Sequence, residues 1–217
     1  MNPTRLILAR HGQAHCNVRG IIGGPRGCTG LTDHGRHQAR QLADRLRAYH
    51  TQTPITAVYT TPLPRVRETA DIIAVHLVLP VTVEHNLREP DYGDADGKPW
   101  TDVVTAFGRI PAQHADHPIA PGAETWTTYL HRAAAILRDI LAGHTGETIL
   151  VVGHGETVTA AAYFFLGLAA DLRASVAFAV DYASITRWEQ QPLAWTQPGA
   201  GWRWTLLTHN GTAHLSQ

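Results

Sequence analysis

The chain alternates short apolar runs with longer stretches whose apolar residues recur at helical spacing. Residues 4–9 (Thr-Arg-Leu-Ile-Leu-Ala) read as a buried strand that ends in a loop. Thr32 is placed to cap a helix whose apolar positions Ala39, Leu42, Ala43 and Leu46 share one face. Residues 55–59 predict a second strand, and Val66, Ala70, Ile73, Ala74 and Leu77 a second helix. A short strand at 81–83 leads into the acidic stretch 89–96. From 97 to 122 the pattern loosens around Pro99, Pro111, Pro118 and Pro121, with a weak helix near Val103. That segment predicts a lid-like insertion over one end of the sheet.

A longer helix follows, with Leu130, Ala133, Ala134, Leu137 and Leu141 on its apolar face. Residues 148–152 are the most β-prone run and predict the centre of the sheet. The next helix holds Val158, Ala161, Ala162, Phe165 and Leu166. The tail, 176–207, reads as strands with a turn at 197–200, Trp202 and Trp204 alternating as on a packed sheet face. Strands alternating with helices predict a three-layer α/β/α fold with a mostly parallel central sheet. At 217 residues the chain suits one domain, 1–217, with the insertion inside it.

Composition narrows the function classes. The 18 basic and 18 acidic residues cancel, which argues against nucleic acid or an anionic membrane as the main partner. The apolar run at 6–9 is too short for a signal-peptide core, and no stretch approaches a membrane span, so a cytoplasmic protein is the default expectation. The two cysteines, Cys16 and Cys28, do not make a disulfide framework and are expected as free thiols. Fourteen histidines invite a metal reading. The pairs His34/His37 and His114/His117 have no further ligands at zinc-site spacing, so scattered histidines and no metal are expected.

The chemistry is concentrated where the first strand ends, at Arg10-His11-Gly12. A neutral imidazole attacks phosphorus well, an arginine offers forked donors to phosphate oxygens, and a glycine lets backbone N–H groups approach. The loop carrying Gly20, Gly23, Gly24, Gly27 and Gly30 also suggests phosphate binding, with Gly23 a candidate contact. It lacks the Lys-Ser/Thr ending of a nucleotide-binding loop. Four further pieces follow in order: Asn17, Arg65, Glu89 and Val151-Val152-Gly153-His154-Gly155.

In this order the sequence resembles the histidine phosphatase superfamily, also called the phosphoglycerate mutase-like family. Arg10-His11-Gly12-Gln13 with Asn17 resembles its opening motif, and Leu31-Thr32 with Gly35 and Gln38-Ala39 its first-helix signature. Thr61-Pro62-Leu63-Pro64-Arg65 with Thr69-Ala70 is similar to its Ser-Pro-Leu-x-Arg segment, a register that selects Arg65 over Arg67. Leu87-Arg88-Glu89, with Gly93 and Gly97, resembles the segment bearing the proton donor. Val151 to Gly155 resembles the second histidine motif, and His209-Asn210-Gly211-Thr212-Ala213-His214-Leu215 the family ending.

The resemblance implies a phosphomonoester hydrolase working through a phosphohistidine on His11, without metal or cofactor. Arg10, Arg65 and His154 would neutralise the phosphoryl oxygens, with donors from Asn17, Gly155 and Gly23. Glu89 would protonate the leaving group, with Asp91, Asp94 and Asp96 as competitors for that role. The expected partner is a small phosphorylated metabolite. Family mutases carry a longer insertion with paired arginines, whereas residues 98–121 here hold only Lys98 and Arg109 as fixed cations. That favours a phosphatase over a mutase-type phosphotransferase, and the intact residue set favours either over a non-catalytic phosphate-binding member.

Overall fold

The computed structural model describes residues 2–194 and 196–215. Six strands, β1 (Arg5–Arg10), β2 (Ala57–Thr60), β3 (Val81–Val83), β4 (Thr148–Gly153), β5 (Ile185–Pro192) and β6 (Trp202–Gly211), form one sheet in the order β3-β2-β4-β1-β5-β6. The first four run parallel; β5 pairs antiparallel with both β1 and β6. Six α-helices alternate with them: α1 (His15–Val18), α2 (Asp33–Gln52), α3 (Pro64–Leu77), α4 (Trp100–Phe107), α5 (Trp126–Gly143) and α6 (Gly155–Leu166).

Successive side chains of a strand point to opposite faces, and β1 and β4 use both. Ile7, Ala9, Leu150 and Val152 pack with Leu42 and Leu46 of α2 and Val66 and Ile73 of α3. Leu6, Leu8, Ile149 and Val151 pack on the other side with Leu137 and Ile140 of α5 and Val158 and Ala161 of α6. Burial on both faces is why these strands read as continuous apolar runs, and the result is the expected three-layer α/β/α architecture. Every residue of β4 is buried, and the strand lies between β1 and β2, as its composition predicted.

The helix starts follow local chemistry. Gly35 N–H donates to the Thr32 hydroxyl at 3.0 Å to cap α2, Thr128 N–H donates to Thr125 at 3.1 Å to cap α5, and Pro64 opens α3. The 97–122 segment contains α4, whose only buried residue, Val103, joins a small cluster with Ile22, Tyr92 and Ala95.

The tail differs from its expected pattern. Residues 176–184 form no strand: Val176 N–H donates to the Leu172 carbonyl (2.9 Å) and Asp181 N–H to Asn210 Oδ1 (2.7 Å), before Ala183 N–H donates to the His11 carbonyl (3.2 Å) and Arg10 N–H to the Ser184 carbonyl (3.2 Å). Pairing resumes at Ile185, and β6 runs past the expected end at Leu207 to Gly211. Within it, Trp204 packs on Phe165 (ring centroids 4.8 Å apart), while Trp202 is partly exposed. The expected turn at 197–200 is a short 3-10 turn over Pro198–Ala200. Trp195, inside the expected tail, and Met1, Ser216 and Gln217, at the ends of the expected domain, lie outside the described residues.

Candidate active site

The parallel register aligns the ends of three strands. Arg10 of β1 faces Gly153 of β4, and Thr60 of β2 faces Val152 of β4. The next residues along each strand, His11, Thr61 and His154, therefore sit together just beyond one edge of the sheet, where parallel α/β folds hold ligands. Both imidazoles are buried, with ring centroids 5.7 Å apart and planes 73° apart.

Hydrogen bonding fixes the tautomer of each ring. His11 Nδ1 lies 2.7 Å from the Gly12 carbonyl, which can only accept, so Nδ1 carries the proton. His11 Nε2 then offers its lone pair, which accepts from Arg65 Nε at 3.1 Å. His154 Nδ1 accepts from Arg65 Nη2 at 3.2 Å, and its Nε2–H points to the Thr61 hydroxyl at 2.9 Å. Burial, then Arg65 and Arg10, lower the pKa of His11 well below the usual histidine value. Burial and the Arg65 charge do the same to His154. Both rings are neutral at pH 7.

Arg65, buried in the first turn of α3, connects the cluster. Its guanidinium also donates to the Gly23 carbonyl and to Glu89 Oε1, and its backbone N–H donates to the Cys28 sulfur at 3.4 Å. Burial opposes its charge, but the Glu89 carboxylate and the two thiols outweigh that and raise its pKa. Glu89 is buried, accepts from the Tyr92 hydroxyl at 3.3 Å, and lies 3.8 Å from His154 Nδ1. Burial pushes its carboxyl up to about 7, against the opposing pull of Arg65. Arg10 donates to the Val180 carbonyl and stacks over the Tyr182 ring at 4.1 Å, and its buried Nε has no partner.

The competing candidates separate by position. Arg67 is half-buried, on the outer side of α3, and pairs with Asp71 at 2.9 Å. Asp91 and Asp94 are exposed, and Asp96 is buried but accepts from the backbone N–H groups of Arg26 (2.7 Å) and Gly27 (3.0 Å), holding the glycine-rich loop. Asn17 lies in α1 and spends its carbonyl oxygen on Ala14 N–H (3.1 Å), which orients its amide NH2 as the remaining donor group. Gly23 is confined because a side chain there would strike the Cys16 sulfur and Arg65. Gly155 opens α6 directly beside Arg10. Among the described residues, no three His, Cys, Asp or Glu side chains are grouped to hold a metal ion.

The sequence profile described as histidine phosphatase superfamily (branch 1) matches residues 6–199. The chain belongs to this superfamily. It is 32% identical over 158 residues to phosphoglycerate mutase-like protein 4 of Arabidopsis thaliana, covering 70% of this chain and 67% of that protein. It is 28% identical over 162 residues to the uncharacterized phosphatase PhoE of Bacillus subtilis (strain 168), covering 72% and 75%. The bifunctional protein Rv2228c of Mycobacterium tuberculosis (strain ATCC 25618 / H37Rv) is 34% identical over 157 residues, and the match spans 41% of its length. The solved structure of Bacillus stearothermophilus YhfR superposes with a TM-score of 0.81 at 27% identity, over 98% of this chain and 100% of that one.

For this superfamily member, sequence reasoning passed over Tyr92 and Tyr182. Tyr92 touches the acid, and Tyr182 lies against both Arg10 and His11. Tyr92 stands three residues after Glu89, a spacing that could have drawn attention to it. Tyr182 arrives from the irregular approach to β5, and no local pattern marks it.

Proposed function

We propose that the protein is a metal-independent phosphomonoester hydrolase that forms a phosphohistidine on His11. The observation that carries this reading is the state of His11: buried, neutral, its proton fixed on Nδ1 by the Gly12 carbonyl and its Nε2 lone pair facing the Arg65 guanidinium. That lone pair is the nucleophile, and a phosphoryl group entering the site exchanges the His11–Arg65 hydrogen bond for contacts of Arg65 with its own oxygens. Arg10, the Asn17 amide and the Gly155 backbone N–H supply further donors, and neutral His154 donates or accepts as charge shifts.

In the first half-reaction Nε2 bonds to phosphorus while the ester P–O bond breaks. Glu89 transfers its proton to the departing oxygen, a role suited to a carboxyl pushed up to about 7. In the second, water attacks phosphorus, Glu89 takes its proton, and the P–N bond breaks to restore neutral His11 and inorganic phosphate. Hydrolysis, rather than transfer to a second acceptor, is favoured by the insertion: its Lys98 and Arg109 are both exposed and neither reaches the imidazole cluster. The phosphatase name of the Bacillus subtilis relative supports the same reading.

The test is a rapid quench under conditions that preserve phosphoramidates, followed by mass spectrometry. Phosphate is expected on His11 during turnover, and His11→Ala is expected to reduce turnover to background. Phosphate on a different residue, or full activity in His11→Ala, overturns the mechanism.

A further inference from the structure

Beside the imidazole cluster, a cavity of about 260 Å³ opens between α6 and the irregular 167–184 connection. Arg10 and Gly155 form its inner end; Glu156, Trp126, Tyr163 and Arg173 form its walls. A phosphoryl group held at Arg10 would border this space, whose volume suits the leaving group of a small metabolite. A second, narrower cleft of about 60 Å³ shares Trp126, Glu156 and Arg173 and reaches the 97–122 insertion.

Two groups in that wall have no protein partner to satisfy them. The Arg173 guanidinium is half-buried and stacks over Trp126 at 4.3 Å, but makes no hydrogen bond or ion pair among the described residues. The Trp126 indole N–H is buried without an acceptor. Buried donors in native proteins are almost always satisfied, so the Trp126 N–H, next to a half-buried guanidinium with no hydrogen-bond partner among the described residues, calls for an acceptor-rich ligand group. A forked guanidinium next to an N–H matches a carboxylate. Glu156 stands in the same cavity, close enough for its carboxylate to act on the Arg173 charge without a hydrogen bond between them, and matches a hydroxyl or ammonium group beside the ligand carboxylate.

We propose that Arg173 is the specificity-determining residue of a leaving-group subsite that takes the carboxylate of a small phosphorylated organic acid. The proposal rests on the hydrolase reading above. It gives the cationic role to the α6–β5 connection, where the exposed Lys98 and Arg109 of the insertion cannot supply it.

Two substrate pairs isolate the carboxylate. Glycerol 3-phosphate replaces that of 3-phosphoglycerate with a hydroxymethyl group, and O-phosphoethanolamine is O-phosphoserine without it. With phosphate release as readout, the acid in the faster pair is expected to be preferred in kcat/KM by about 10–100-fold, the range of a charge-assisted hydrogen bond. Arg173→Met is expected to bring that ratio to within about threefold of unity by lowering kcat/KM for the acid. Arg173→Lys, which keeps the charge and loses the fork, should fall between. Melting curves identify any variant that fails to fold, and a wild-type ratio near one is decisive without either variant. A wild-type ratio near one, or a ratio that survives in folded Arg173→Met, overturns the subsite and leaves the hydrolase reading intact. No phosphate release from any of the four or from 4-nitrophenyl phosphate overturns the hydrolase reading and the subsite with it.

Discussion

At His11 and Glu89, burial shifts in opposite directions two acids joined through the Arg65 guanidinium. Burial and neighbouring arginines keep the imidazole neutral far below its usual titration range, whereas burial holds the carboxyl protonated up to about 7. For alkyl phosphates kcat/KM should therefore stay high on the acid side of neutrality and fall above about pH 7, as Glu89 loses its proton. Activated aryl phosphates, whose phenolates leave without help, should lack that alkaline limb. The second ionisation of the phosphomonoester near pH 6 is common to both, so paired pH–rate profiles isolate Glu89. Glu89→Gln should cost about 10²–10⁴-fold on alkyl esters and far less in the burst phase on aryl esters. Equal losses in the burst would remove Glu89 as the acid. Much of this residue set was legible in advance because its members occur in order with recognisable neighbours. The choice of Arg65 over Arg67 came from register, and it is Arg65 that is fully buried against His11 and Glu89, while Arg67 pairs with Asp71 away from them. Arg173 and Tyr182 were not legible, since each acts through a stacking contact made by distant parts of the chain.

Between elements, the tightest crossing is that of the β1–α1 loop over the start of α2. A Cβ on Gly12 would collide with the Gly35 carbonyl, and one on Gly35 with the Gln13 carbonyl. These obstacles are backbone, which cannot rotate aside as a side chain can. Gly35→Ala should thus lower unfolding free energy by about 1–3 kcal/mol in urea titrations and also impair turnover, because the displaced loop carries His11. A Gly35→Ala protein as stable and active as the parent would show that the crossing is loose. The long elements were readable because amphipathic or doubly buried periodicity extends over their whole length. The four-residue α1 was not, for it is a chain reversal closed by Ile21 N–H on the Cys16 carbonyl (2.9 Å). Residues 176–184 misled for a different reason: their composition is strand-like, but their backbone groups go to the preceding turn at Leu172, to the Asn210 side chain and, at Ala183 and Ser184, to the end of β1.

Across the whole molecule, positive charge at the site comes from guanidinium groups fixed by the fold, one of them buried and carrying several hydrogen bonds. Exhaustive dialysis against EDTA should leave activity within about twofold of its starting value. A loss on chelation that a divalent ion restores would return the histidines to a metal role. Chain topology separates two tasks. The groups proposed to handle phosphorus, His11 and His154 just past the ends of β1 and β4 and Arg65 in the first turn of α3, rest on a sheet cemented between helix layers on both faces. The groups facing the leaving side belong largely to α6 and the irregular connection that follows it. In a chain built this way, substitutions in one surface connection can change which molecule is accepted while the rigid strand ends beneath it stay as they are.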